Sequence, residues 1–239
     1  MIDLKQGDCL ELMKDIPDGS IDLILCDLPY GTTACKWDVV IPFEPLWEQY
    51  NRIIKDNGAI VLFGSEPFSS KLRMSNLNNY KYDWIWNKKK GGNPLLAKKQ
   101  PIKIHENIMI FNTKNYFPIM TKRDKPAYRG NCKSNKTGIA NNVFKNNKKY
   151  EFYYPKSIVE VSNACQKGKL HPTQKPVELL EYLIKTYTNE NDLVLDNCMG
   201  SGSTGVACVN TNRNFIGIEL SEEYYNIAKE RINNIVRKD

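Results

Sequence analysis

Two short segments of this 239-residue chain carry residue types that can do chemistry, and they lie far apart in sequence. Asp27-Leu28-Pro29-Tyr30-Gly31 follows the apolar run Ile21–Cys26, which reads as a buried strand running into a loop. Open α/β sheets place their ligands at such carboxyl ends. The residue types suit a planar ring that bears an amino group. An amine of this kind is a poor nucleophile, because its lone pair is delocalised into the ring. Asp27 and the Leu28 carbonyl would accept both of its N–H bonds and localise that pair towards an electrophile. Pro29 restricts the turn that aims the two acceptors, and Tyr30 offers a face on which the ring can stack.

The second segment is Asp196-Asn197-Cys198-Met199-Gly200-Ser201-Gly202-Ser203-Thr204, behind the apolar residues 193–195. Glycines at a strand's carboxyl end let the chain turn tightly and let a ligand approach the backbone. About 20 residues further on, an acid that binds ribose hydroxyls is expected at the end of the next strand. Phe215-Ile216-Gly217-Ile218 ends in Glu219 at that place. The full G-x-G-x-x-G pattern is missing and no lysine follows the turn, so neither a pyrophosphate cradle nor a P-loop is indicated. A nucleoside cofactor without phosphates, such as S-adenosyl-L-methionine, fits better.

The elements that must position these loops alternate. Helical spacing of Leu46, Trp47, Tyr50, Ile53 and Ile54 predicts a helix over 43–56, stopped by Asn57-Gly58 as a C-cap. Strands are predicted over 59–63, 82–86, 107–111, 193–195 and 215–218. Helices are predicted over 67–77, 176–188, 203–210 and 221–236, the last with Ser221 as N-cap. Strands alternating with helices imply an α/β fold with a doubly wound, mostly parallel sheet. Lys88-Lys89-Lys90-Gly91-Gly92 reads as a flexible basic loop.

Hydrophobic residues make up 41% and charged residues 26%, ordinary values for a globular chain. Seven cysteines form no C-x-x-C pair, and the odd number suits a reducing compartment with small buried thiols. Asp3, Lys5 and Asp8 interrupt any leader-like run, and no apolar stretch approaches the roughly 18 residues of a membrane span, so a cytoplasmic location is expected. The net charge of +7 is unevenly spread. Residues 112–169 hold 13 Lys/Arg against 3 acids, whereas the rest has 21 against 24. This stretch also carries nine Asn and eight aromatics, lacks a sustained period, and reads as irregular chain or a small appended module. A phosphate backbone attracts such a surface, and Asn side chains can read adenine edges. For Phe152-Tyr153-Tyr154 the plainer reading is a local core of that module.

Taken together, these motifs resemble the amino-methylating DNA methyltransferases of permuted motif order, the β class, which make N6-methyladenine or N4-methylcytosine. Asp27-Leu28-Pro29-Tyr30 matches the family's D-P-P-Y motif, with Leu for the first Pro. Asp196 to Thr204 matches D-P-F-x-G-S-G-T-T, with Asn197 for Pro, Cys198 for Phe and Ser203 for Thr. His171-Pro172-Thr173-Gln174-Lys175-Pro176 matches the segment preceding the cofactor strand, and Gly7-Asp8-Cys9 the opening motif. The likeness spans the chain apart from the basic insert.

The resemblance implies a Rossmann-like methyltransferase fold with a catalytic part (1–111), a target-recognition insert (112–169) and a cofactor part (170–239). It implies that Asp27, Leu28, Pro29 and Tyr30 act on a flipped base. S-adenosyl-L-methionine would meet Asp8 at its adenine, Glu219 at its ribose, and Asp196 and Gly200, helped by Thr173 and Lys175, at its methionine end, with Cys9, Asp27 and Leu220 as further cofactor-binding residues. Cys198, Ser201, Gly202, Ser203 and Thr204 would complete that site; with Cys198 in place of Phe, the usual apolar wall against adenine is missing. Duplex DNA would be held by Lys88, Lys89, Lys90, Arg123, Arg129, Lys133 and Lys136, with Trp86-Asn87-Lys88 near the flipped base. A cognate restriction endonuclease and a second copy of the chain are the candidate protein partners. Asp at the head of the tetrapeptide favours adenine N6, with cytosine N4 as the alternative. Protein or RNA methylation is disfavoured by the motif order and the basic insert, and a non-catalytic DNA-binding role by the intact Asp27, Pro29, Tyr30 and Glu219.

Overall fold

Along Ile21–Cys26 the side chains part by strand periodicity: Leu23 and Leu25 enter one hydrophobic cluster, Ile24 and Cys26 another. A strand buried on both faces belongs in the middle of a doubly wound sheet. The computed structural model describes residues 1–32, 38–92, 94–128, 149–163 and 174–236. It divides into two compact units, Met1–Phe117 with Ser157–Asp239, and Pro118–Lys156.

In chain order the elements are β1 (Ile2–Gln6), α1 (Cys9–Leu12), β2 (Ile21–Cys26), α2 (Phe43–Ile53), β3 (Ile54–Gly64), α3 (Phe68–Ser75), β4 (Tyr80–Gly92) and β5 (Lys103–Phe111). Next come β6 (Thr121–Tyr128) and β7 (Lys149–Tyr153) of the smaller unit. The larger unit resumes with β8 (Ile158–Glu160), α4 (Val177–Tyr187), β9 (Leu193–Asp196), α5 (Ser203–Asn210), β10 (Asn214–Glu219) and α6 (Glu222–Val236).

The main sheet has the order β1-β10-β9-β2-β3-β5-β4-β8. Strands β1, β10, β9, β2 and β3 run parallel, whereas β5 is antiparallel to both of its neighbours. Helices α4, α5 and α6 pack in the cluster on one face, α1, α2 and α3 in that on the other. The α2 face Leu46, Trp47, Tyr50 and Ile53 is wholly buried, and truncating Leu46 to Ala should cost about 2–5 kcal/mol. The order reverses between β9 and β2, where Ile24 stands opposite Leu195. Such a reversal opens a crevice outside the strands' carboxyl ends, and both chemistry-bearing segments emerge there.

Several sequence expectations need correction. Helix α2 ends at Ile53, not 56, because Ile54 turns extended and pairs with Ile21 in the sheet. Gly58 is therefore not a C-cap; a Cβ there would lie 2.9 Å from the Asp22 carbonyl oxygen, so the position demands close backbone approach. Residues 88–92 are not a loop. Strand β4 continues to Gly92, which pairs with Lys103 after a register shift. Strands β1, β6, β7 and β8 lie outside the strands expected from the sequence.

The basic insert is also narrower than residues 112–169. Asn112 donates to the Lys55 and Gly58 carbonyls (both 3.3 Å), and the Phe117 N–H donates to the Thr186 carbonyl (2.8 Å), holding this stretch in the larger unit. On the far side β8 pairs with β4, and the Trp86 indole donates to the Val161 carbonyl (2.9 Å). Within the smaller unit β6 and β7 form an antiparallel pair in which Thr121 faces Tyr153. Phe152, Tyr153 and Tyr154 are exposed there (48%, 47% and 71%), so these three side chains are not a core.

Candidate active site

Asp27 leaves β2 into a loop whose next residue, Leu28, is buried in the α2-side cluster. Tyr30 and Asp38 hold the rest of the loop in shape. The Tyr30 hydroxyl donates to Asp27 Oδ1 (2.7 Å), and its ring stacks on Phe68 of α3 with centroids 4.9 Å apart. Gly31 at φ +66° and Thr32 then donate their N–H groups to the Asp38 carboxylate (2.8 and 2.9 Å).

The second oxygen of Asp27 is held by Lys175, just ahead of α4. Lys175 Nζ lies 3.5 Å from Glu106 Oε2 of β5, and Lys88 Nζ of β4 donates to Glu106 Oε1 (2.9 Å). Four charges of alternating sign thus line up as Asp27, Lys175, Glu106 and Lys88. Burial raises the Asp27 carboxyl above its ordinary range; Lys175 opposes the rise and Glu106 adds to it. Burial works against the Lys175 ammonium, but Asp27 and Glu106 outweigh it and hold its pKa above the usual lysine value. Burial also works to raise Glu106, yet Lys175 and Lys88 hold it low. Lys175, expected at the methionine end of the cofactor, lines the cavity and is held on the Asp27 carboxylate. Glu106 was not singled out in the sequence at all.

Beyond β9 the glycine-rich turn is built by its own carboxylate. Asp196 Oδ1 accepts from the Cys198 N–H (3.1 Å) and Oδ2 from the Thr204 hydroxyl (2.6 Å). Burial pushes the Asp196 carboxyl up to about 6, with Thr204 and Cys198 resisting. Gly200, at φ +51°, donates its N–H to Glu219 Oε2 (2.9 Å), while Glu219 Oε1 accepts from the Ser221 N–H (2.9 Å). Burial raises the Glu219 carboxyl and these N–H groups lower it, leaving a net rise. Ser201 donates to Gln174 (3.2 Å), and Arg231 donates to the Ser201 carbonyl (3.1 Å) and the Ser203 hydroxyl (3.0 Å). Asp8 caps α1 by accepting from the Leu10 N–H (2.8 Å).

Asn197, also missed in the sequence, sits beneath this turn. Its Oδ1 accepts from Tyr50 of α2 (2.6 Å), and its Nδ2 lies 3.5 Å from Cys9 Sγ and 3.6 Å from Cys198 Sγ. The visible signal was its replacement of the Pro in the family motif. The Cys26 thiol beside this group is pushed up to about 12, chiefly by burial, so it stays protonated.

These pieces surround one cavity of about 810 Å³, within the range of ordinary small-molecule sites. It is lined by Asp27, Leu28, Pro29 and Tyr30 on one side and by Asp196, Cys198, Gly200, Ser201, Ser203 and Thr204 on the other. Asp8, Cys9, Lys175, Glu219 and Leu220 complete it, with Lys88, Glu106 and Asn197 as additions. Tyr30 and Gly200, 170 residues apart in sequence, thus share one cleft. Gly202 does not line it. At φ +77° it starts α5, and a Cβ would come within 2.9 Å of Ala228 Cβ, so this glycine serves helix packing. Thr173 lies outside the described residues, as do Arg129, Lys133 and Lys136. Lys88 is committed to Glu106, Lys89 pairs with Glu160 at 3.5 Å, and Lys90 is exposed. Arg123 stacks on the Tyr153 ring at 3.6 Å and donates to the Phe152 carbonyl (3.1 Å).

The donor set suits a nucleoside that carries an amino acid. Glu219 spends one lone pair on each oxygen on backbone N–H groups, and a carboxylate offers about four such sites, so acceptors remain for a diol. Comparison with known proteins agrees with this chemistry. The profile of the DNA methylase family N6_N4_Mtase matches residues 21–230. The type II methyltransferase M.HpaI of Haemophilus parainfluenzae is 29% identical over 95% of this chain and 72% of its own length. The DNA adenine methyltransferase YhdJ of Escherichia coli K12 is 30% identical over 95% and 81% respectively. Among solved structures, the M1.HpyAVI–SAM complex superposes with a TM-score of 0.66 at 28% identity, over 98% of this chain and 100% of that one. The chain belongs to the N6/N4 DNA methylase family.

Proposed function

We propose that the protein methylates the N6 amino group of adenine in duplex DNA, at a specific sequence and with the base flipped into the cavity. The observation that carries this reading is the single cleft shared by Asp27-Leu28-Pro29-Tyr30 and the Gly200 turn at the carboxyl ends of adjacent strands. Asp8, Glu219, Leu220 and the cavity-lining residues of the 196–204 turn would hold S-adenosyl-L-methionine, which would supply an electrophilic methyl group whose bond to the positively charged sulfur breaks with the electron pair kept by sulfur.

The remaining work belongs to the chain. Asp27 and the Leu28 carbonyl accept the two N–H bonds of the target amine and raise the electron density on its nitrogen. As the new N–C bond forms, one of those protons must leave. The Asp27 carboxyl, raised by burial, is suited to hold it before release to water. Tyr30, backed by Phe68, gives the ring an aromatic neighbour. The exposed aromatics of β7, together with Arg123 and the basic residues of 112–169, support a target-recognition role for the smaller unit. A cognate restriction endonuclease and self-association are natural extensions of the proposal.

The test is to react purified protein with labelled cofactor and duplex DNA, digest the product to nucleosides and separate them by mass. Label in N6-methyladenine is expected. Label in N4-methylcytosine alone would move the assignment to the other branch of the family.

A further inference from the structure

Both oxygens of Asp27 are engaged, Oδ1 by the Tyr30 hydroxyl and Oδ2 by Lys175. Each oxygen keeps one further lone-pair site, so an incoming amine crowds these partners rather than finding the carboxylate full, and a positive charge left on Oδ2 competes with it for electron density. Lys175 is the more mobile candidate, since the Tyr30 ring is clamped against Phe68. Its ammonium is almost closed off from water, with the side chain 8% exposed, so it cannot retreat into solvent. A buried charge that leaves one partner needs another. Glu106 Oε2 supplies it. That oxygen is buried and already ion-paired with Lys175, whose Nζ lies 3.5 Å away, longer than a good hydrogen bond, so the pair has room to close. The other Glu106 oxygen is fixed by Lys88 at 2.9 Å, which aims Oε2 at Lys175.

We propose that Glu106 is a positioning residue that receives Lys175 when the target amine takes its place on Asp27. The inference rests on the amino-methylation reading above and deepens it. The exchange is a short displacement of an ammonium between two carboxylates, so the row of four charges stays neutral throughout. Without Glu106 the lysine stays on Asp27 and competes with the amine. Glu106 thereby acts on the rate through Lys175.

The consequence for pH dependence has a definite sign. Asp27 is faced by Tyr30 from its own loop, by Lys175, by Glu106 of β5, by Asp196 at the end of β9 and by Cys26 at the end of its own strand β2. Glu106 is faced by Lys175 and Lys88, and by Asp27 and Tyr30 across Lys175. Removing the Glu106 charge takes away a repulsion that raises the Asp27 carboxyl and leaves Lys175 to it alone. The acid limb of turnover should then move to lower pH. Removing the Lys88 charge leaves Glu106 to draw on Lys175 alone, which weakens the hold of Lys175 on Asp27 and should move that limb to higher pH.

The experiment compares full-length wild type, Glu106→Gln, Glu106→Asp and Lys88→Met. Binding of S-adenosylhomocysteine by calorimetry establishes that each variant is folded with an intact cofactor site. For Glu106→Gln we expect binding within about threefold of wild type, kcat lowered at least tenfold with a smaller change in KM for DNA, and the acid limb displaced downward. Glu106→Asp should recover part of the rate with the wild-type limb, and Lys88→Met should displace the limb the opposite way. Wild-type kcat and pH profile in Glu106→Gln would overturn the inference, as would equal losses in the Gln and Asp variants with unmoved limbs. If Glu106→Gln does not fold, an unmoved limb in Lys88→Met overturns it and an upward displacement supports it. Absence of DNA amino-methylation by the wild type would defeat the functional reading and this inference together. Turnover by the wild type with an indifferent Glu106→Gln defeats the inference alone.

Discussion

Gly200 donates its backbone N–H to the Glu219 carboxylate at 2.9 Å, joining the turn after β9 to the end of β10. The same carboxylate holds the Ser221 N–H at the start of α6. One acid therefore shapes the cofactor turn and also presents lone pairs to the cavity. Glu219→Ala removes both contributions. Charge-assisted hydrogen bonds of this type are each worth about 1.5–3 kcal/mol, so affinity for S-adenosyl-L-methionine should fall on the order of ten- to a hundredfold. Calorimetric titration measures this directly, and unchanged affinity would remove Glu219 from the site.

Asp27→Ala should leave cofactor affinity within a few-fold of wild type while kcat drops by about 10²–10⁴, the usual share of a positioned proton acceptor. The Glu106 carboxylate remains beside Lys175 in this variant, so the buried ammonium keeps a partner and the fold should survive. Single-turnover methylation with pre-bound cofactor separates the two effects. Turnover at the wild-type rate would refute the catalytic assignment.

The legibility of each residue in the sequence depended on how it reaches the cavity. Asp27, Gly200 and Glu219 were readable because each stands just past a short apolar run, so one-dimensional punctuation marks its three-dimensional place. Glu106 sits inside β5 with apolar neighbours beyond it and no turn beside it. Its role exists only because β5 is antiparallel to β3 and carries position 106 to the crevice end of the sheet. Lys88 was misread for a related reason: three lysines before two glycines look like a solvated loop, but pairing with β5 extends the strand and Glu106 captures the first lysine. Strand β1 escaped because its alternation is partly charged and no residue in it is fully buried.

Asp196 makes stability depend on pH in a specific direction. Its folded pKa, about 6, stands above the ordinary value of 3.8 in the unfolded chain. The folded state then binds the proton more tightly, so this contribution is fully present below about pH 4 and is lost as the pH rises through 6. The difference corresponds to on the order of 3 kcal/mol. Asp196→Asn is neutral at every pH and offers one acceptor oxygen where Asp196 offers two, for the Thr204 hydroxyl and the Cys198 N–H. Urea unfolding at pH 4.5 and pH 7.5 should show the variant at its greatest disadvantage at the lower pH, with the gap to wild type narrowing by about 2 kcal/mol at the higher one. A constant gap would mean that Asp196 is ionised in the folded protein throughout.

Tyr50 and Asn197 form the buried tie between α2 and the cofactor turn, at 2.6 Å. Tyr50→Phe keeps the ring in its place against Trp47 but leaves Asn197 Oδ1 without a donor. An unsatisfied buried acceptor costs about 1–3 kcal/mol, which should appear as a lowered thermal midpoint. Asn197 also bridges Cys9 and Cys198 on the cavity wall, so cofactor affinity should weaken by a smaller factor. A midpoint equal to wild type would mean that Asn197 finds another donor.

Arg123 tests whether the smaller unit meets DNA. Its guanidinium lies 3.6 Å from the centre of the Tyr153 ring and spends its Nε–H on the Phe152 carbonyl. A guanidinium has five N–H donors, so four are left for a phosphate while the stack fixes its direction. Each phosphate neutralised on duplex DNA contributes a slope of about −0.9 to log affinity against log salt. Arg123→Ala should therefore weaken DNA binding at low salt and make the slope shallower by about 1, with cofactor affinity unaffected. Arg123→Lys should retain the slope but lose part of the affinity, because an ammonium presents no planar face to Tyr153. If Arg123 serves only to pack β6 on β7, both substitutions should lower the melting temperature and leave the salt slope where it was.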